Sequence, residues 1–161
     1  MHDKLNKNEL MELFYRKSKE NGLKITPQRT AIYQEFLKAK DHPSADNIYK
    51  KLVKKIPNIS FDTIHRTLLM FSTIGIAKIV EGYGQPKRFD PNIEKHHHCR
   101  CIQCNNIIDF YNAAYDNITV PNVIEKQFTV LNKRIVLEGL CEKCRGKEYL
   151  YDRTGEIKTP D

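Results

Sequence analysis

The sequence lacks tryptophan, and it lacks any apolar stretch long enough to cross a lipid bilayer. Residues 1–19 carry charges throughout and contain neither the apolar segment nor the cleavage site of a signal peptide. We therefore expect a cytoplasmic protein that makes no contact with a membrane. There are five cysteines, and an odd number without a secretion signal argues against a disulfide framework and favours metal binding.

Charge is unevenly distributed along the chain. The 27 basic and 20 acidic residues give a formal net charge of +7, and 17 of the basic and 10 of the acidic residues lie within residues 1–90. The whole excess therefore belongs to the first half, whereas residues 91–161 are balanced. A basic half joined to a neutral half indicates contact with a polyanion such as nucleic acid. An ordinary solvated surface is the alternative explanation.

The first half predicts four helices followed by a hairpin. The helices are expected over residues 5–20 and after the capping residues Thr26, Ser44 and Ser60. One strand is expected over 76–81 and the other over 86–89, with a turn between them at Gly82-Tyr83-Gly84. This order of elements predicts a winged helix-turn-helix, and a small helical domain without a ligand is the alternative.

The fourth helix, Ser60–Ser72, is predicted to be the recognition helix, whose first turns face the major groove of DNA. Side chains of those turns, together with basic residues earlier in the chain, are the candidate DNA contacts. They are Lys24, Arg29, Ser60, Asp62, Thr63, His65 and Arg66. Phosphate contacts by the basic residues would make affinity fall steeply with salt.

The second half has fewer regular patterns. Strands are predicted over 107–111 and 128–138, with a short helix over 123–126, and Asp90-Pro91-Asn92 is interpreted as a hinge. The fold class is therefore α+β. The predicted parts are a winged-helix DNA-binding domain, a metal-binding domain and a polar tail, over 1–91, 92–148 and 149–161.

Two cysteine pairs predict a structural zinc site. In Cys101-x-x-Cys104 and Cys141-x-x-Cys144, the two intervening residues let both thiolates of a pair reach one ion. Two such pairs complete a tetrahedral four-sulfur site, for which Zn²⁺ is the usual occupant and which has no open position for catalysis. A redox dithiol or an accidental coincidence of two pairs is the alternative.

A second group of residues predicts a separate regulatory metal site. His96 and His98 alternate along a predicted strand and therefore share a face, while His97 points away. His42, Asp90 and Asp109 are the other candidate ligands. Imidazoles combined with carboxylates suit Fe²⁺, Mn²⁺ or Zn²⁺. A solvated histidine run is the alternative.

The order and spacing of these residues resemble the ferric uptake regulator (Fur) family, and within it the peroxide-responsive repressors. The match extends over residues 10–148, and it depends on ligand residues and flanking motifs that occur in the same order. The motifs are Gly22-Leu23-Lys24-Ile25-Thr26-Pro27-Gln28-Arg29, His42-Pro43-Ser44-Ala45-Asp46-Asn47-Ile48-Tyr49, Arg88-Phe89-Asp90, His96-x-His98-x-x-Cys101-x-x-Cys104, Ile107-Ile108-Asp109-Phe110 and Gly139-Leu140-Cys141-x-x-Cys144.

The resemblance implies a homodimer, in which winged-helix domains project from C-terminal α/β dimerisation domains and each subunit holds one structural Zn²⁺. It also implies one regulatory ion per subunit, Fe²⁺ or Mn²⁺, bound at the positions of His42, Asp90, His96, His98 and Asp109. In the peroxide-responsive members, Fe²⁺ activates binding to a palindromic double-stranded DNA operator. Peroxide then oxidises a ligand histidine, at the position of His42 or His96, and the repressor releases DNA. The Mn²⁺ form is active but insensitive to peroxide.

Several positions bear on the subclass. Iron-sensing relatives tend to carry Glu where this chain has Asp90, whereas peroxide sensors carry Asp. Lys95 and Lys133 stand where some iron-sensing members have additional histidine ligands, so that additional site is not expected here. The recognition helix reads Thr63-Ile64-His65, whereas the family usually has Thr-Val-Tyr, so the operator preference is expected to differ.

The predicted function is a metal-dependent DNA-binding repressor that senses peroxide through iron-catalysed oxidation of a histidine. The alternative within the family is an iron, zinc or manganese uptake regulator that senses its metal reversibly. A zinc hydrolase and an RNA-binding zinc protein are rivals from other classes. We expect neither an enzyme nor a small-molecule substrate, because no nucleophile or general base stands out beyond the ligands.

Overall fold

The computed structural model describes residues 5–39, 41–80 and 86–145. The chain divides into two compact units, one ending at Lys95 and the other beginning at His96. They are called the N-terminal unit and the C-terminal unit below. In the described part of the chain, no helix is long and apolar enough to span a membrane.

Four helices build most of the N-terminal unit, and each begins at a side chain that caps it. Their bounds are α1 Lys7–Glu20, α2 Pro27–Phe36, α3 Ala45–Leu52 and α4 Phe61–Thr73. The predicted caps are confirmed, because the hydroxyls of Thr26, Ser44 and Ser60 each accept a hydrogen bond from the backbone N–H three residues later. Gly22 and Gly75 follow α1 and α4 with φ of 63° and 78°, a region that favours glycine.

The helices are held together by a cluster of aromatic rings. Phe14 of α1 stacks on Tyr33 of α2 at 4.9 Å between ring centroids. The ring of Phe71 in α4 meets both of them edge-on, at 5.8 and 5.2 Å. All three rings are fully buried. This cluster fixes α4 on the other helices and so sets which face of α4 remains exposed.

A two-stranded antiparallel sheet completes the N-terminal unit. Its strands are β1 Lys78–Val80 and β2 Arg88–Asp90, with Lys78 opposite Asp90. Both strands are shorter than the sequence predicts, and the predicted turn Gly82-Tyr83-Gly84 lies outside the described residues. The outer edge of β2 also pairs with the segment before α3, because Phe89 N–H donates to the Pro43 carbonyl at 2.9 Å.

The C-terminal unit is built around a three-stranded sheet. Its elements are β3 His97–Cys101, β4 Ile107–Phe110, α5 Ala113–Asp116, α6 Asn122–Glu125 and β5 Val136–Gly139. The strand order is β4-β3-β5, so β3 is central. It pairs antiparallel with β4 and parallel with β5. The predicted short helix near residue 123 is confirmed as α6.

The strand predicted over 128–138 is wrong in its first part, because β5 begins only at Val136. Phe128, Val130 and Leu131 are exposed and belong to no regular element. A strand requires a neighbour for its backbone, and β3 offers its free edge only to residues 136–139. The alternating apolar pattern thus marks an apolar surface and not a paired strand. The tail predicted over 149–161 lies outside the described residues.

Phe71→Ala should lower the free energy of unfolding by about 3–5 kcal/mol, because it leaves a cavity between Phe14 and Tyr33. Phe61→Ala is the matched control, since Phe61 lies in the same helix but is 47% exposed, and it should cost about 1 kcal/mol or less. Urea denaturation of both variants measures the difference. Equal losses would contradict the assignment of Phe71 to the centre of the core.

Candidate metal centres and nucleic-acid interface

The four cysteines come together because two parallel strands end side by side. Cys101 is the last residue of β3, and Gly139, its register partner, is the last residue of β5. Each strand runs directly into a turn that carries one Cys-x-x-Cys pair. Both turns therefore leave the same edge of the sheet, and the Ile102 N–H donates to the Gly139 carbonyl at 2.9 Å between them.

The sulfur atoms have the spacing of a four-thiolate zinc site. Cys104 Sγ and Cys141 Sγ are 3.7 Å apart, and all four sulfur atoms lie within 4.8 Å of one another. Zn–S bonds of about 2.3 Å place tetrahedral sulfur ligands about 3.8 Å apart. Cys101 and Cys144 are buried, and Cys104 is exposed. The predicted set Cys101, Cys104, Cys141 and Cys144 thus fits a closed structural Zn²⁺ site.

The environment of the thiols favours a bound cation. Burial would raise the pKa of Cys101, but backbone N–H groups of Cys104, Cys141 and Gln103 donate to its sulfur and bring the pKa down to about 6. Burial and the three neighbouring sulfur groups raise the pKa of Cys144 to about 12. One thiolate is therefore stabilised by the turns themselves, whereas the full set of four requires a divalent cation to offset their mutual repulsion.

In the C-terminal unit, a second donor set forms across the β3–β4 pair. Asp109 is the register partner of His98, and His96 lies two residues before His98 on the same face. The two Nε2 atoms are 2.9 Å apart, and they lie 3.6 and 3.7 Å from the same oxygen, Asp109 Oδ1. Metal–nitrogen bonds of about 2.1 Å place neighbouring ligand atoms about 3.0–3.5 Å apart, so the three donors fit one face of a metal ion.

In the N-terminal unit, backbone pairing brings His42 and Asp90 together. The Arg88 guanidinium donates to the His42 carbonyl, and Phe89 N–H donates to the Pro43 carbonyl. As a result, His42 Nε2 lies 3.8 Å from Asp90 Oδ2, and both side chains are buried. The other oxygen of Asp90 accepts the Asn92 N–H at 2.8 Å, which fixes the orientation of the carboxylate.

His97 has a contact that the sequence did not predict. It points to the opposite face from His96 and His98, and its Nδ1 accepts the Ile135 N–H at 3.4 Å. This fixes the proton on Nε2, which lies 3.4 Å from Asp116 Oδ1. Phe110 and Tyr115 pack against the ring. His97 therefore ties β3 to α5 and to the start of β5.

The first turns of α4 are exposed and carry the predicted DNA contacts. Ser60, Asp62 and Arg66 are exposed, whereas Thr63 and His65 are half-buried. Asp62 and Arg66 form an ion pair at 2.9 Å. Earlier in the chain, Lys24 is exposed, and the half-buried Arg29 donates to its carbonyl.

The family model that matches this chain describes the ferric uptake regulator family and covers residues 20–138. The chain belongs to the ferric uptake regulator (Fur) family. Members of this family are metal-dependent transcriptional repressors that bind DNA operators as dimers, and the chain is a repressor of this kind. The resemblance inferred from the motifs is thereby confirmed.

Individual Fur relatives agree with this placement. The chain is 37% identical to the peroxide-responsive repressor PerR of Staphylococcus saprophyticus, over 80% of this chain and 87% of the relative. The structure of Helicobacter pylori Fur matches with a TM-score of 0.75 at 22% identity, covering 92% of this chain and 99% of that one, and it confirms the α+β fold. Francisella tularensis Fur with iron matches with a TM-score of 0.64 at 26% identity, covering 77% and 96%.

Cys101→Ser should release the structural zinc, because a serine hydroxyl does not replace a thiolate as a zinc ligand. Cys99→Ser is the matched control: it makes the same change two residues earlier in β3, outside the four-sulfur set, and should keep the metal. Zinc content after dialysis against a mild chelator is the measurement. Full zinc in Cys101→Ser, or zinc loss in Cys99→Ser, would contradict this ligand set.

Proposed function

We propose that this Fur repressor senses peroxide and acts in the cytoplasm as a homodimer on a palindromic DNA operator. Its DNA-binding domain spans residues 1–91 and its dimerisation domain 92–148. It has no enzymatic activity and takes no small-molecule substrate. The observation that carries the proposal is the convergence of His96, His98 and Asp109 on one point, with a second histidine–carboxylate pair at His42 and Asp90.

The N-terminal unit supplies the DNA-binding surface. Lys24 and Arg29 contact phosphates, and the first turns of α4 enter the major groove. Ser60, Asp62, Thr63, His65 and Arg66 are the residues of those turns that approach DNA. The excess of basic residues in this half supports contact with a polyanion.

The two metal sites have different roles. The four cysteines hold one Zn²⁺ per subunit, which stabilises the C-terminal unit. The regulatory site holds one Fe²⁺ or Mn²⁺ per subunit, bound by His42 and Asp90 from one unit and by His96, His98 and Asp109 from the other. Binding by donors of both units fixes the orientation of the DNA-binding domain, which makes DNA affinity depend on the metal.

Peroxide sensing requires an ion that reacts with peroxide, held by histidines that can be oxidised. Bound Fe²⁺ supplies the reaction with peroxide, in which a ligand imidazole gains one oxygen atom and water is released. The reacting rings are His42 or His96. Each ring would bind the ion through Nε2, the nitrogen that lies near a carboxylate of the donor set, so oxidation of the ring would remove a ligand and lower metal affinity. The PerR relative supports this subclass, as does the aspartate at position 90.

The alternative is an iron, zinc or manganese uptake regulator, which uses the same donors reversibly and without oxidation. The Francisella tularensis relative supports it, because that protein is a ferric uptake regulator whose structure was solved with iron. Reaction with peroxide distinguishes the two, since a reversible sensor keeps its histidines intact.

The C-terminal unit carries the surface proposed for the second copy of the chain. Its segment from Ile118 to Leu137 exposes a series of large apolar side chains, which is more than an isolated soluble domain usually presents. They are Ile118, Val123, Ile124, Phe128, Val130, Leu131, Val136 and Leu137. Because dimers of this family are symmetric, the same surface of each copy covers the other.

Phe128→Asp should raise the dimer dissociation constant at least about tenfold, because it would bury an unpaired carboxylate against apolar side chains. Ile25→Asp is the control, since Ile25 is also an exposed apolar residue but belongs to the N-terminal unit. Analytical ultracentrifugation measures both variants. A Phe128→Asp protein as dimeric as the wild type would place the dimer interface elsewhere.

A brief peroxide pulse should weaken operator binding by the Fe²⁺-loaded protein about 5- to 150-fold and leave the Mn²⁺-loaded protein unchanged. Anaerobic binding measurements before and after the pulse give the affinities. Mass spectrometry should find the added oxygen on the peptide that contains His42 or His96.

Two results would decide against this proposal. Retained affinity in both metal forms, with intact histidines, identifies a reversible uptake regulator.

His98→Ala should keep the cysteine-bound zinc and lose metal-dependent DNA binding. Unchanged metal dependence in that variant would show that the regulatory ion binds elsewhere.

A further inference from the structure

An aromatic stack on the exposed end of α4 is not explained by metal sensing. Phe61, the first residue of the helix, lies parallel to the ring of His65 one turn later, at 6.0 Å between centroids and 13° between planes. Tyr49 of α3 contacts Phe61 edge-on, with 6.1 Å between the ring centroids and 80° between the ring planes. Tyr49 in turn packs against the buried core. The His65 ring is thus connected to the core through two other rings.

This connection holds the imidazole in place on the surface. Parallel rings at this separation gain interaction energy in addition to the free energy of burying their apolar area. A side chain that is already fixed loses little rotamer freedom when it binds a partner. His65 is therefore pre-organised for contact, whereas the nearby basic side chain of Arg66 is highly exposed and engaged with Asp62.

The polar atoms of His65 are available for a ligand. Within residues 5–39, 41–80 and 86–145, no side chain or backbone group makes a hydrogen bond to this ring. An imidazole carries at least one N–H in either protonation state. In the major groove, N7 of both guanine and adenine is an acceptor, and thymine presents a methyl group that apolar side chains such as Phe contact.

We propose that Phe61 and His65 read neighbouring bases of the operator as one unit, an inference that rests on the proposed DNA-binding function. His65 donates from a ring N–H to N7 of a purine. Phe61 contacts the 5-methyl group of an adjacent thymine and keeps the imidazole in the orientation that reaches the purine. A stack that only covers the helix surface is the competing explanation, and it predicts no dependence on either base atom.

The test begins with selection of a duplex from a randomised double-stranded library, using the full-length, metal-loaded dimer. Each purine of the selected half-site is then replaced, one at a time, by its 7-deaza analogue, and each thymine by deoxyuridine. Affinities are measured for the wild type, His65→Phe and Phe61→Leu. His65→Phe keeps a ring in the stack but removes the donor, and Phe61→Leu keeps an apolar side chain but removes the stack.

For the wild type, one 7-deazapurine position should weaken binding about three- to tenfold, the range of a single net hydrogen bond. His65→Phe should show no loss at that position, and Phe61→Leu a reduced loss. One deoxyuridine position adjacent to it should weaken the wild type and His65→Phe alike.

Three results would overturn the inference. If the wild type binds a selected duplex but tolerates 7-deaza substitution at every purine, His65 does not read N7, and the proposed repressor function stands. The same conclusion holds if His65→Phe keeps the full sensitivity. If the full-length protein enriches no sequence from the library in any metal form, the proposed function and this inference both fail.

Discussion

The five-residue strand β3 positions most of the candidate metal ligands of the C-terminal unit. Side chains alternate along β3, so His98 faces Asp109 on one side of the sheet, while His97 and Cys101 belong to the other. Both metal sites and the His97–Asp116 contact therefore depend on the register of β3 against β4 and β5. A slip of one residue would place His97 opposite Asp109 and would direct His98 away from it. Neither the donor set of His96, His98 and Asp109 nor the four-sulfur set would survive that change.

This dependence gives the cysteine site a role beyond local stability. Cys101 lies three residues after His98, and its turn is held to the turn after β5 through the cysteine pairs and the Ile102–Gly139 hydrogen bond. At the other end of the β3–β5 pair, His97 accepts the N–H of Ile135, the residue before β5. The two contacts fix β5 at both ends against β3. The proposed zinc ion at one end and the buried His97 at the other would thus keep the register that the donors His96, His98 and Asp109 need.

Whether a contact could be predicted from the sequence depends on how far apart in the chain its residues lie. The helix caps at Thr26, Ser44 and Ser60 and the two Cys-x-x-Cys turns are local, because each is complete within four residues. The contact of His97 with Asp116 depends on the length of β4 and the start of α5, which spacing alone does not fix. The strand predicted over residues 128–135 is wrong for a related reason. Their apolar pattern is typical of a strand, but no neighbouring strand is available to pair with them. The stack of Phe61 on His65 has helical spacing, yet Tyr49, which supports it, comes from another helix.

The way His42 and Asp90 meet explains what a regulatory ion can change. The Phe89 N–H donates to the Pro43 carbonyl and the Arg88 guanidinium to the His42 carbonyl, so hydrogen bonds within the N-terminal unit position this pair. The donors on β3 and β4 are likewise positioned by strand register. Because contacts within each unit position its half of the proposed site, we expect both units to remain folded when the ion is lost. In the proposed mechanism, the binding energy of the ion then acts on the orientation of the DNA-binding domain, which is the property that a metal-dependent switch must change.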